Sequence, residues 1–455
     1  MKKALIITGL IVITFSAVFT WAVKFPPWQI GAAIKISTGL GAKLACSAKH
    51  ISKLSDAQII EDLASYSPAN RLLDIEYIHT EKRVKASMFG LSEASATFRE
   101  NIGCALDFGD TSALYAVTAP SYKSLAEAQQ MKIWPEGEIV NTILPTVQLS
   151  LNEQLMLDNQ GGFDTRALLI VKDGIVVAES YAEGFSANSL LLGWSMGKSM
   201  TAMMIGHLIL QGQLAINDTN LFPQWQNDER KEISLEDLLT MTSGLDFDEV
   251  YTPGSDSTHM LFSAYSASDV ALASPLKEIP GSHFSYSSGT TNILSRLIYK
   301  RVGASAQANI DFLHTHVLSP LGMHHTLFET DSSGVFVGSS YMYASARDWA
   351  RLGQVMLNNG KLNGHKLVNE SWLAQAHSPN NSNNDGRYGY QFWLNQGNGN
   401  NEQDLRWPNL PEDAYAMMGN RGQVVMIIPS SKTVIVRLGW SASHYNVNER
   451  FASFL

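Results

Sequence analysis

The chain has 455 residues, 45% of them hydrophobic and 16% charged, with a formal charge of −9 at pH 7. Such a chain buries a sizeable core and is not disordered, and with no long Lys/Arg run to break the acidic balance, nucleic acid is excluded as a partner. The 12 histidines show no His-Glu-x-x-His pattern, and Cys46 with His50 lacks two further ligands at suitable spacing, so no metal site is expected.

Residues 4–23 are apolar or small without a break, flanked by Lys2-Lys3 and Lys24. A helix of that length spans about 30 Å, the thickness of a bilayer core. A cleaved signal peptide has a shorter apolar region and an A-x-A-like site, which is not found before Lys24, so residues 1–24 read as an uncleaved membrane anchor. Its positive flank places the rest of the chain on the exported side, periplasmic or extracellular. An exported setting favours a disulfide between the two cysteines, Cys46 and Cys104. Residues 25–145 form a region of short strands and helices to which the sequence assigns no role.

The part from 146 to 455 opens on a hairpin, residues 168–171 and 175–178 about the turn Lys172-Asp173-Gly174. Next comes Trp194-Ser195-Met196-Gly197-Lys198-Ser199-Met200. It opens an apolar run whose Met200, Met203, Met204, Ile205, Leu208 and Ile209 recur near 3.6 residues and stop at Gln211-Gly212. Positions i and i+3 of a helix share a face, so the Ser195 hydroxyl and the Lys198 amine can meet. Burial and the positive helix end both lower a lysine pKa, which makes Ser195 a candidate nucleophile and Lys198 its partner. A second Ser-x-x-Lys, Ser274 to Lys277, precedes Glu278-Ile279-Pro280-Gly281, where no helix continues for long.

Gly281 to Gly289 is a loop rich in turn formers that places Tyr286 just before a helix starting near Thr291. Met418-Gly419-Asn420-Arg421-Gly422-Gln423, running into Val424, reads as a strand interrupted by glycines whose edge offers N–H groups to an oxyanion. A second hairpin joins residues 424–428 to 433–438, and residues 346–358 read as a helix. Residues 380–384 and 396–401 read as polar loops. Strands at both ends with helices between predict an α+β fold, an antiparallel sheet packed by helices together with a helical subdomain.

Taken together, Ser195-Met196-Gly197-Lys198, Tyr286-Ser287-Ser288 and Asn420-Arg421-Gly422-Gln423 resemble, in order, the three motifs of the serine β-lactamase and penicillin-binding-protein superfamily. The resemblance is to the branch with class C β-lactamases, esterases and 6-aminohexanoate-dimer hydrolases. It runs from about Ser150 to the C-terminus. The resemblance implies an acyl-enzyme on Ser195 with Lys198 and Tyr286 sharing the proton traffic, either one serving as base. It also implies an oxyanion site at the N–H groups of Ser195 and Gln423 beside Gly422, and no cofactor. The implied substrate is a small amide, ester or short peptide. Two departures, Ser288 in place of an asparagine and Asn420-Arg421-Gly422 in place of Lys-Thr-Gly, argue against efficient hydrolysis of penicillins, with Arg421 a different source of charge. The loop from Gly244 to Tyr251 resembles the branch in which a tyrosine contacts substrate, which nominates Tyr251 and Ser288 for binding. The competing expectation is a tethered receptor for peptidoglycan-like ligands, acylated without turnover.

Overall fold

Pro26 and Pro27 lead through a short turn into α1 (Ile30–His50), which runs deep into the molecule. The computed structural model describes residues 26–118, 131–380, 382–397 and 405–455. Glycines set how closely α1 packs: a Cβ at Gly39 would collide with the Phe262 carbonyl, and one at Gly41 would lie 2.8 Å from a Leu73 methyl. A second helix, α2 (Asp56–Ala64), is capped by Ser55, whose hydroxyl accepts from the Gln58 N–H. Four antiparallel strands follow in sequential order, β1 (Asp74–Ile78), β2 (Arg83–Met88), β3 (Ser92–Arg99) and β4 (Gly103–Leu106). Val84, Ala86 and Met88 alternate inward along β2, the period expected of a half-buried strand.

Cys46 of α1 and Cys104 of β4 form a disulfide across a separation of 58 residues. Closing that loop stabilises by about 4 kcal/mol in the chain-entropy model. Thiol titration under denaturing conditions is expected to find none before reductant and two after. Reduction should then move the urea midpoint down by that free energy, and an unchanged midpoint would refute the contribution.

Leu40, Ala42 and Leu44 of α1 share one continuous core with Met200, Ile205 and Leu208. Through α1, the described part of residues 26–145 is therefore packed into the same interior as the part that follows. That part begins with α3 (Pro145–Gln160) and the hairpin β5 (Thr165–Lys172) and β6 (Ile175–Tyr181), whose turn puts Asp173 and Gly174 at positive φ. Further on are β7 (Leu191–Leu192), α4 (Met196–Leu210), α5 (Asp256–Phe262), α6 (Ser288–Val302), β8 (Thr326–Phe328), β9 (Met342–Ala344) and α7 (Ala346–Leu357). The chain closes with β10 (Trp393–Leu394), β11 (Tyr415–Gly419), β12 (Gln423–Ile428), β13 (Thr433–Gly439) and α8 (Val447–Ala452).

The large sheet is antiparallel in the order β10-β11-β12-β13-β5-β6, so chain ends far apart in sequence meet at its centre, as the two predicted hairpins required. One face carries Leu169, Val425 and Val436 into the core with Met200 of α4 and Trp349 of α7. The other carries Leu168, Met426 and Ile435 against Leu151 of α3 and Phe451 of α8. This is an α+β architecture, with α4 and α7 against one face of the sheet and α3 and α8 against the other. The long apolar run of α4 is a helix buried on nearly all sides, from Met196 to Leu208, as the sequence predicts. The apolar run at residues 4–23 lies outside the described residues. Among the described residues no helix is long and apolar enough to cross a membrane, and the loop expected at 396–401 falls mostly outside them as well.

Candidate active site

The chain enters the site from β7. Gly193 donates its N–H to the Met342 carbonyl (2.9 Å), and Trp194 then adopts φ 48°, a left-handed conformation costly for a bulky residue. Its indole is held against Tyr66, Tyr341 and Trp440, with ring centroids 6.1, 6.2 and 6.3 Å away. This turn sets Ser195 at the N-cap of α4 with no side-chain cap bond of its own, so its hydroxyl is free for other partners.

One turn on, Lys198 is 1% exposed. Its Nζ lies 3.1 Å from Ser195 Oγ, 2.9 Å from Ser288 Oγ and 3.1 Å from the Ser339 carbonyl oxygen. The last contact explains Gly197 within the motif: a Cβ there would come within 2.9 Å of the Gly338 carbonyl, so only glycine lets that strap lie on the helix. Desolvation pushes the amine down to about 8, with the charge of Glu249 pulling it the other way.

Tyr286 stands just before α6, whose N-cap is Ser287. Burial drives its phenol well above the usual range, opposed by a hydrogen bond with Ser195. Its ring stacks on Trp393 (5.2 Å), meets Tyr388 edge-on (5.8 Å), and lies 5.0 Å from the Lys198 ammonium position. Arg406 covers the far side of Trp393 at 4.2 Å and supplies positive charge near Tyr286.

The residue that sequence reasoning missed is Glu249. One of its carboxylate oxygens accepts from the Ser288 N–H (2.7 Å) at the positive start of α6, and the other accepts from the Ser288 hydroxyl (2.6 Å) and the Tyr251 hydroxyl (3.2 Å). The Tyr251 oxygen is also 3.1 Å from Ser288 Oγ. Ser195, Lys198, Ser288, Glu249, Tyr251 and Tyr286 thus form one connected polar cluster. The spacing Glu249-x-Tyr251 in the loop already singled out for Tyr251 is the signal that would have found it.

The third motif requires a correction. It is a hairpin turn between β11 and β12, with Arg421 at φ 63° and Gly422 at φ 78°, rather than an interrupted strand. Gln423 is buried inside the sheet opposite Gly419, and its side chain is bonded to both backbone groups of Gly439. Gly422 gives its carbonyl to Arg437 (2.8 Å), and Arg421 lies over Tyr66 at 3.9 Å. The contacts of these three residues are with Gly439, Arg437 and Tyr66.

The edge facing the cleft belongs to β11. The Ala414 carbonyl accepts from Asn395 on the β10 side (3.0 Å), and backbone groups alternate sides along a strand. Ala416 and Met418 therefore share that side, and β10 ends opposite Ala416. The Met418 N–H projects from the part of the edge that β10 leaves uncovered, while Gly419 is packed against the Gly193 carbonyl, two residues before Ser195.

The second Ser-x-x-Lys is in no helix. Ser274 is buried and Lys277 is exposed, pairing with Asp246 at 3.2 Å. His207 bonds the Leu367 carbonyl in the core (2.9 Å). Among the described residues no group of three or more His, Cys, Asp or Glu is placed to hold a metal ion.

The model of the β-lactamase family matches residues 146–442. A 6-aminohexanoate-dimer hydrolase of Paenarthrobacter ureafaciens is 25% identical over 225 residues, covering 47% of this chain and 57% of that relative. The match thus spans little more than half the relative's length. Among solved structures, a family VIII carboxylesterase superposes with a TM-score of 0.54 at 14% identity, over 69% of this chain and 99% of the other. A penicillin-binding-protein homologue from Caulobacter crescentus gives 0.53 at 15% identity, over 70% and 100%. A class C β-lactamase gives 0.53 at 14%, over 70% and 97%. At such identities these likenesses show the fold alone.

Proposed function

We propose, from the premise that the chain belongs to the β-lactamase family, that it is a serine hydrolase opening an amide or ester bond through an acyl-enzyme on Ser195. The observation that carries the reading is how the hydrogens around Lys198 are committed. A neutral amine has two N–H donors and one lone pair. The Ser339 carbonyl can only accept. The single hydrogen of Ser288 goes to Glu249, so its oxygen also accepts from Lys198. Both donors of the neutral amine are then spent, and its lone pair is left for the third neighbour, Ser195 Oγ at 3.1 Å, to which the protonated amine donates instead.

Lys198 is accordingly the base and Tyr286, kept protonated by burial, the acid. Ser195 Oγ bonds to the carbonyl carbon as its proton passes to Lys198. The Ser195 N–H with the Met418 N–H of the β11 edge holds the oxyanion. Tyr286 protonates the leaving amine or alcohol and regains its proton from Lys198. Water then enters by the same steps in reverse and frees the acid.

The pH dependence follows with a definite sign. Only the neutral amine has a lone pair, and at an amine pKa of about 8 roughly a tenth is neutral at pH 7. The kcat/KM should rise with pH and level off above about 8. Glu249 raises that pKa, so Glu249→Gln should move the limb to lower pH; a limb that stays or moves up would contradict the assignment.

Esters and linear amides are the substrate classes the relatives' names support: one is named for the 6-aminohexanoate dimer and another as a carboxylesterase. Residues 4–23 are read as the anchor that holds the domain on the exported side. The test is the purified full chain with a chromogenic short-chain ester. Many equivalents of product support the hydrolase, whereas a single equivalent makes the protein an acylated receptor.

A further inference from the structure

The start of α1 and the tip of the β2–β3 hairpin lie at the same end of the molecule. Three contacts fix their relative direction. Thr38 Oγ1 lies 3.1 Å from Ser92 Oγ, a Cβ at Gly41 would sit 3.2 Å from Ala86, the strand partner of Ala94, and His50 stacks on Phe98 at 5.2 Å. Helix and strand therefore advance together, each by roughly 18–20 Å between the first contact and the last, at ~1.5 and ~3.3 Å per residue. Followed backwards from Thr38, α1 passes the hairpin tip and continues beyond it.

That end is apolar and open to solvent. Phe89 and Leu91 at the tip are 66% and 73% exposed, and Trp28 and Ile30 at the helix start are 79% and 39% exposed. On the other flank stands the loop that carries Glu249 and Tyr251: a Cβ at Gly254 would come 3.6 Å from Gln29 Nε2, and Val250 is 59% exposed. Single exposed apolar side chains are ordinary, but five large ones around one end mark a contact surface.

The sequence names the occupant. The 20-residue apolar run ends at Val23, with only Lys24, Phe25, Pro26 and Pro27 before Trp28. Five steps of extended chain reach at most about 18 Å, so a run that spans the bilayer keeps Trp28 close enough to enter the headgroup layer, where tryptophan is favoured. We propose that this end of the protein is a membrane-docking surface: Trp28, Ile30, Phe89 and Leu91 seat in the lipid interface and bring the loop of Glu249 and Tyr251 down beside it. The proposal rests on the reading of residues 4–23 as an anchor.

The test uses the full chain in phosphatidylcholine vesicles. Phe89→Cys and Leu91→Cys variants carry an environment-sensitive fluorophore, with Ile175→Cys, exposed at the β5–β6 turn, as reference. Retained ester hydrolysis checks the fold. The proposal expects a blue shift and at least twofold quenching by doxyl-labelled lipid at 89 and 91, with neither at 175. Vesicle-bound protein whose labels at 89 and 91 stay water-exposed would overturn it, as would equal quenching at all three sites. Quenching absent but a blue shift that grows with protein concentration would assign the surface to a second copy of the chain and also overturn it. Protein that does not float with vesicles at all would instead refute the anchor.

Discussion

Ser195→Ala is expected to lower turnover of an ester on the order of 10⁶-fold, because it removes the atom that forms the new bond and leaves the other groups nothing to act on. Substrate binding and stability should hardly change. Ser195 makes no cap bond to α4, so the helix loses nothing, and the Trp194 turn is held by aromatic packing rather than by the hydroxyl. The check is kcat/KM together with a urea transition on the same preparation. Ser274→Ala should leave turnover unchanged, since Lys277 is exposed and paired with Asp246. Turnover retained in Ser195→Ala and lost in Ser274→Ala would transfer the nucleophile to the second motif.

Lys43→Met is expected to destabilise the fold by about 3–5 kcal/mol with the site chemistry intact in whatever remains folded. Lys43 and Glu329 are an ion pair with both side chains at most 2% exposed. Burial pushes the amine down and the carboxyl up, and their mutual attraction opposes both shifts. Glu329 also accepts from the Cys104 N–H (2.6 Å) and Ser47 (2.9 Å), and Lys43 donates to the Cys104 carbonyl (2.7 Å). Removing the amine leaves a buried carboxylate without its counter-charge, held only by the Cys104 N–H and Ser47. Replacing both partners, Lys43→Met with Glu329→Leu, should recover much of the loss, because the isolated charge and not the missing pair is what costs. A single variant as stable as the parent in urea would refute this.

Ser195, Lys198 and Tyr286 were legible because their placement is local: a three-residue helical spacing with a glycine stop, and a tyrosine one residue before an N-cap serine. The two hairpins were legible for the same reason, since short continuous apolar runs on either side of Asp173-Gly174 or Pro429 state their own pairing. Glu249 was not, because its partner Ser288 is 39 residues away and the contact depends on the path of a loop. The third motif misled because glycine serves both bulged strands and tight turns, and only the pairing of Gly419 with Gln423 shows which it is. The depth of α1 was hidden in the same way: its buried lysine is explained by a glutamate 286 residues later in the chain.

The reading of Ser195 as an acylated nucleophile is tested most directly by intact-protein mass spectrometry after brief exposure to a fluorophosphonate, followed by peptide mapping. One adduct per chain is expected, on the peptide bearing Ser195, slowed strongly in Lys198→Met. An adduct on Ser274, Ser288 or Ser339 with Ser195 unmodified would contradict it.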